Sequence, residues 1–84
     1  MNPRVTHVAP KASQTLLVTF SNGEKRLLDT RPYLDYGVFA RLSDSAFFAL
    51  VQADHGTVVW PDGIDLDPDT VYLDSVAVGQ AEHA

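Results

Sequence analysis

Eighty-four residues, 45% apolar and 20% charged, suit one small globular domain and are too apolar for a disordered chain. Cysteine is absent, which excludes disulfides, thiolate chemistry and cysteine-ligated zinc, and the longest apolar run, Ala46 to Val51, is far too short to span a bilayer. The net charge of −5 divides unevenly: residues 1–41 hold all six Lys and Arg and sum to +3, while residues 42–84 hold eight carboxylates and sum to −8, a poor endowment for neutralising nucleic-acid phosphates.

In chain order, Met1-Asn2-Pro3-Arg4 leads into no apolar stretch, so no secretory signal is expected and the reading is a cytoplasmic, bacterial-type domain. Val5 to Ala9 alternates and is stopped by Pro10, predicting a strand. Gln14 to Phe20 is a stronger strand, with Leu16, Val18 and Phe20 on one face and Thr15, Leu17 and Thr19 on the other. Asn22-Gly23 predicts a two-residue type I′ turn into a partner strand at Lys25 to Asp29. That loop length sets Phe20 opposite Lys25, Val18 opposite Leu27 and Leu17 opposite Leu28. Val18 and Leu27 then mark the core face, and Leu17 and Leu28 form an apolar pair on the other face.

Thr30-Arg31-Pro32 opens a short helix that Gly37 ends. Ser43 is the expected N-cap of a second helix carrying Phe47 and Phe48. Leu50 to Ala53 and Thr57 to Trp60 flank Asp54-His55-Gly56, read as a three-residue hairpin loop, and Pro61-Asp62-Gly63 is a turn. Asp67 caps a third helix, with Pro68 at its first position and the helix running to about Asp74. Residues 76–84 are small and polar enough to fray. The expected architecture is α+β: one domain over residues 3–75, an antiparallel sheet of about five strands (5–9, 14–20, 25–29, 49–53 and 57–60) and three short helices.

Few motifs carry chemistry. Asp65-Leu66-Asp67-Pro68-Asp69 resembles the start of a calcium loop, but the sixth and twelfth positions hold Thr70 and Val76 where Gly and Glu are needed. Helix capping by Asp67, with Asp69 in the positive first turn, accounts for the same residues. His7, His55 and His83 lack the spacing of two ligands on one helical turn, and neither Ser43 nor Ser45 sits in a nucleophile-elbow glycine pattern. The five glycines are scattered and form no phosphate-cradling loop. Trp60, Tyr33, Tyr36 and Tyr72 have no basic neighbours of the kind a base-stacking surface uses, so they are expected to pack in the core. Residues 30–36 and 43–49 are too short for a helix-turn-helix.

The run Val59-Trp60-Pro61-Asp62-Gly63-Ile64-Asp65-Leu66-Asp67-Pro68-Asp69-Thr70-Val71-Tyr72 resembles the signature of a bacterial family, domain of unknown function 2442. Pro3 and Val5, the stretch Leu16-x-Val18-x-Phe20-x-Asn22-Gly23-Glu24, Asp29, and Gly37-x-Phe39-x-x-Leu42-x-Asp44 fit the same pattern, and Val71 replaces the usual Leu. The resemblance covers residues 3–74. It implies a small α+β domain, often the second member of a two-gene cassette similar to toxin–antitoxin pairs. Longer relatives append a helix-turn-helix that is not expected in these residues. The family defines no catalytic residues, so none are carried over. The recurring Trp60, Pro61, Gly63, Asp65, Asp67, Pro68 and Tyr72 are explained by a tight turn feeding a capped helix.

The expected function is a non-enzymatic, antitoxin-like protein-binding module without cofactor, metal, nucleic-acid or membrane partner. Its acidic half would face a small basic protein, with Leu17, Leu28, Asp62, Asp65 and Asp69 as binding residues. The alternative is a structural or regulatory domain that forms a homodimer through the Leu17–Leu28 face. A third class, an enzyme, would need a pocket joining His7 or His55 to several carboxylates.

Overall fold

The computed structural model describes residues 2–78. The chain is α+β and antiparallel as expected, but its strands form two sheets instead of one of about five strands. The first sheet has the order β1-β2-β3-β7, with β1 Val5–Lys11, β2 Thr15–Phe20, β3 Lys25–Asp29 and β7 Val76–Ala77. The second has the order β4-β5-β6, with β4 Gln52–Asp54, β5 Thr57–Trp60 and β6 Ile64–Asp65. Two helices, α1 (Ser45–Phe48) and α2 (Pro68–Asp74), and 3-10 segments at Arg31–Tyr33, Gly37–Ser43 and Pro61–Gly63 complete the domain. The core lies among Val5, Leu16, Val18, Phe20 and Leu28 of the first sheet, Val58, Trp60 and Ile64 of the second, and Leu42, Phe48, Val51, Leu66 and Val71 between them.

The two hairpins exchange the loop types that their sequences predict. At the first, Phe20 N–H donates to Glu24 O at 2.9 Å and Gly23 N–H to Phe20 O at 2.9 Å, leaving the three-residue loop Ser21-Asn22-Gly23. Only Gly23 takes positive φ (88°), and Asn22 Oδ1 accepts from the Glu24 N–H at 3.0 Å. This is a turn closed by a left-handed glycine, not a type I′ turn. The register is therefore Thr19↔Lys25, Val18↔Arg26, Leu17↔Leu27 and Leu16↔Leu28. A one-residue change of register turns every side chain of a strand to its other face. Leu28 thus lies fully buried in the core beside Leu16, and Leu27 takes the place expected of Leu28 on the outer face. At the second hairpin Asp54 pairs with Thr57, so the loop is the two residues His55-Gly56, both with positive φ (52° and 78°). That is the type I′ pattern. Gly56 is fixed there by its neighbours as well. Its carbonyl accepts from the Val5 N–H at 3.0 Å, and a Cβ at this position would stand 3.0 Å from Arg4 Cδ.

Other boundaries shift for local reasons. β1 runs through Pro10 because it is an edge strand, where a missing N–H breaks no ladder. The first expected helix shrinks to one 3-10 turn containing Pro32. The cap of α1 is Asp44, not Ser43: Asp44 Oδ1 accepts from the Ala46 N–H at 2.9 Å, while Ser43 Oγ donates back to Ala40 O at 2.8 Å. Val76 and Ala77, read from sequence as the start of a loose tail, pair with Leu27 and Arg26 of β3. Residues 79–84, including His83, lie outside the described residues.

Candidate interaction surfaces

The signature run from Trp60 to Tyr72 is built as a scaffold. Trp60 is buried, its ring 6.1 Å from that of Phe48, and its indole Nε1–H donates to Phe48 O at 3.0 Å. Pro61 then starts a 3-10 turn in which Asp62 and Gly63 adopt positive φ (68° and 76°), returning the chain as β6. Asp67 Oδ2 accepts from the Thr70 N–H at 3.1 Å, with Pro68 opening α2, so the carboxylate that fits a calcium loop acts as a helix cap. Val71 is buried in the core, and the Tyr72 ring meets Phe20 edge-on at 5.0 Å.

Tyr72 also ties α2 to the first hairpin through a polar network. Its hydroxyl donates to Glu24 Oε1 at 2.7 Å, and the Arg26 guanidinium lies 4.4 Å from its ring centroid. Arg26 in turn donates to Glu24 Oε2 (3.0 Å), Ser75 Oγ (2.8 Å) and Ser75 O (2.7 Å). The Tyr72 hydroxyl, then Asn22 and Arg26, hold the Glu24 carboxyl below the usual carboxylate range, and the same hydrogen bond pushes the Tyr72 phenol up. Tyr33 makes a parallel tie, donating to Asp74 Oδ2 at 2.6 Å; burial and that bond push its phenol up as well. Neither Arg26 nor Ser75 is among the residues expected from the sequence to carry a role. Arg26 adjoins the apolar Leu27-Leu28 pair in β3, and its long stem and planar head suit burial against an aromatic ring.

The expected binding residues do not converge on one site. Asp62 is bound to Arg41 at 2.7 Å. Asp65 and Asp69 are exposed beside the capping Asp67, and among the described residues none of these three carboxylates is in an ion pair. Among the described residues, Asp69 accepts only from Asn2 Nδ2, at 3.3 Å. Leu28 is a core residue and leaves the surface altogether. Leu17 remains half-buried outside the core cluster, beside Leu27.

The outer face of the first sheet is therefore a regular grid. Its central row is Ala9, Leu17, Leu27 and Val76, one residue from each of four strands in register. One flanking row is His7, Thr19 and Lys25; the other is Lys11, Thr15 and Asp29. Asp29 is held by Arg31 at 2.7 Å, which keeps its carboxyl below the usual range. α2 packs on the opposite face of this sheet, where Tyr72 meets Phe20 and Val71 enters the core.

A shallow cleft of about 230 Å³ lies against Leu50, Gln52, Val59, Trp60 and Pro61, none of them ionisable. His55 sits at a hairpin tip, 3.2 Å from Asp54, while His7 is on β1. Among the described residues no three His, Asp or Glu side chains gather as metal ligands.

The family model described as "Protein of unknown function (DUF2442)" matches residues 5–77. The chain belongs to the DUF2442 family. No curated protein and no solved structure matches it. Within the matched residues, Glu24 of the first hairpin and Tyr72 of α2 are joined by their 2.7 Å hydrogen bond.

Proposed function

We propose that this DUF2442 domain is a non-catalytic protein-binding module whose β6–α2 surface docks a small basic protein, the antitoxin-like role in a two-gene cassette. The carrying observation is how the cations are distributed. Arg26, Arg31 and Arg41 are engaged by Glu24, Asp29 and Asp62, while Asp65, Asp67 and Asp69 have no cation paired with them among the described residues. Such a surface attracts and orients a basic partner through its field. Ser43 and the Asp67 carboxylate are used as structural hydrogen-bonding groups, and the 230 Å³ cleft is smaller than the roughly 300–1,000 Å³ of ordinary small-molecule sites. The reading places the domain in the bacterial cytoplasm, acting without a cofactor and apart from nucleic acid and membrane. No described helix is long and apolar enough to cross a membrane.

The test is titration calorimetry with the protein encoded beside this gene, using wild type and Asp65→Asn/Asp69→Asn, which leaves the Asp67 cap intact. Binding that weakens about tenfold in the variant and falls with added salt supports the reading. Binding indifferent to both changes, or no binding, refutes it. A second reading, self-association, is favoured by the apolar row on the outer face of the first sheet.

A further inference from the structure

We infer that the shallow cleft on the outer face of the second sheet receives one apolar side chain of the basic partner, and that Asp65 at its rim pairs with a Lys or Arg two residues away in the same extended segment. The inference rests on the proposed docking of a basic protein and names what that protein must present.

The β4-β5-β6 register places Gln52, Val59 and Asp65 in one row across the three strands, on the same face. Gln52 and Val59, with Leu50, Trp60 and Pro61, line the cleft of about 230 Å³. Asp65 is paired directly with Val59, at the spacing of about 4.5–5.5 Å that separates the Cβ atoms of opposed residues. The walls are held before any partner arrives. Trp60 Nε1–H donates to Phe48 O at 3.0 Å, and the Leu50 N–H donates to Phe47 O at 3.0 Å. The Pro61 ring fixes its own φ. A preformed pocket costs little ordering on binding. Leu50 at the rim is nonetheless 53% exposed, apolar area that leaves water only when an occupant covers it.

Charge selects the occupant. None of the lining residues is ionisable. Beyond Pro61, Arg41 and Asp62 neutralise each other at 2.7 Å, whereas Asp65 has no cation paired with it among the described residues. A second copy would bring its own unpaired Asp65 to this face, so like charges oppose it. A basic segment meets opposite charge there and on the adjoining start of α2 at Asp69. The volume suits one side chain and falls short of the roughly 300–1,000 Å³ of a small-molecule site. In an extended segment, side chains two residues apart share a face and lie about 6.8 Å from one another. That separation carries the segment from the cleft to Asp65, so the recognised sequence is apolar-x-basic. The apolar residue is the desolvated anchor, and the carboxylate orients it.

Titration calorimetry with the protein encoded beside this gene compares wild type with Leu50→Ser, Gln52→Lys and Asp65→Asn. All three positions are exposed, and circular dichroism should show wild-type folding. Leu50→Ser and Gln52→Lys should each weaken binding about tenfold. With added salt the loss in Asp65→Asn should shrink while the loss in Leu50→Ser persists, because salt screens charge and leaves apolar burial in place. A partner that binds Leu50→Ser and Gln52→Lys as tightly as wild type, yet weakens with Asp65→Asn, overturns the anchor and leaves the acidic docking surface standing. Weakening by Leu50→Ser with Asp65→Asn unaffected overturns the pairing of anchor and cation. A wild-type chain that does not bind the protein removes both readings. Sedimentation equilibrium of the chain alone adds one more outcome: a wild-type dimer that Leu50→Ser returns to 9.2 kDa places a second copy in the cleft and also overturns the inference.

Discussion

The register of the first hairpin decides which of two adjacent leucines supports the domain, and truncating each in turn measures it. Leu28 is fully buried beside Leu16, whereas Leu27 lies half-buried on the outer face. Leu28→Ala removes the side-chain atoms from a packed site and leaves a void, at a cost of about 2.7–5 kcal/mol. An 84-residue domain has roughly 4–13 kcal/mol of total stability at 0.05–0.15 kcal/mol per residue. The variant therefore loses a large fraction of it, and with about 4–8 °C per kcal/mol at this size its melting midpoint falls by more than roughly 10 °C. Leu27→Ala forfeits only the part of its area shielded by neighbours on an open sheet face, about 1 kcal/mol or less. Urea unfolding by circular dichroism, at protein concentrations low enough to keep the chain monomeric, gives both midpoints with unchanged slopes. If Leu27→Ala costs as much as Leu28→Ala, or more, the three-residue loop and the face assignment built on it are wrong.

Asp67→Ala should destabilise the domain by about 1 kcal/mol through the lost cap on α2; thermal melts with calcium and with chelator should coincide, and a calcium-dependent rise in the wild-type midpoint would contradict capping. Tyr72→Phe removes the strongest cause of the lowered Glu24 pKa, so an NMR titration should show that carboxyl rising toward its ordinary 4.5; no movement would place the phenol elsewhere. Because Glu24 and Asp29 are both lowered in the folded chain, they stabilise it above the ordinary values of 4.5 and 3.8 and lose that contribution as pH falls through their folded values; a urea midpoint that does not decline below about pH 4.5 would contradict the two hydrogen-bonded networks. Fluorescence anisotropy should detect no appreciable binding of random duplex DNA or RNA at physiological salt, and micromolar binding would show that Lys11, Lys25 and the other cations form a sufficient patch.

Alternation and capping residues determined much of this protein directly. Leu16, Val18 and Phe20 recur with period two and all reach the core, β3 and β5 have the boundaries their sequences predict, and Asp67-Pro68 starts α2 where a cap followed by proline should. These signals are local, so no distant contact is needed to read them. Loop length was not local in the same sense. Asn22-Gly23 accommodates either a type I′ turn or a turn closed by Gly23 alone, because both use a left-handed glycine. The choice falls to the register that buries Leu28 and sets Arg26 beneath Tyr72. His55 carries the reverse lesson: positive φ is uncommon for a non-glycine residue, yet the bond from Val5 N–H to Gly56 O joins the tight turn to β1. The short β6 and β7 have too few residues to show a period and exist only because β5 and β3 offer them partners. The Leu17–Leu28 pair failed for the same reason: which face a leucine occupies depends on one residue of loop, and packing across the whole domain sets that residue.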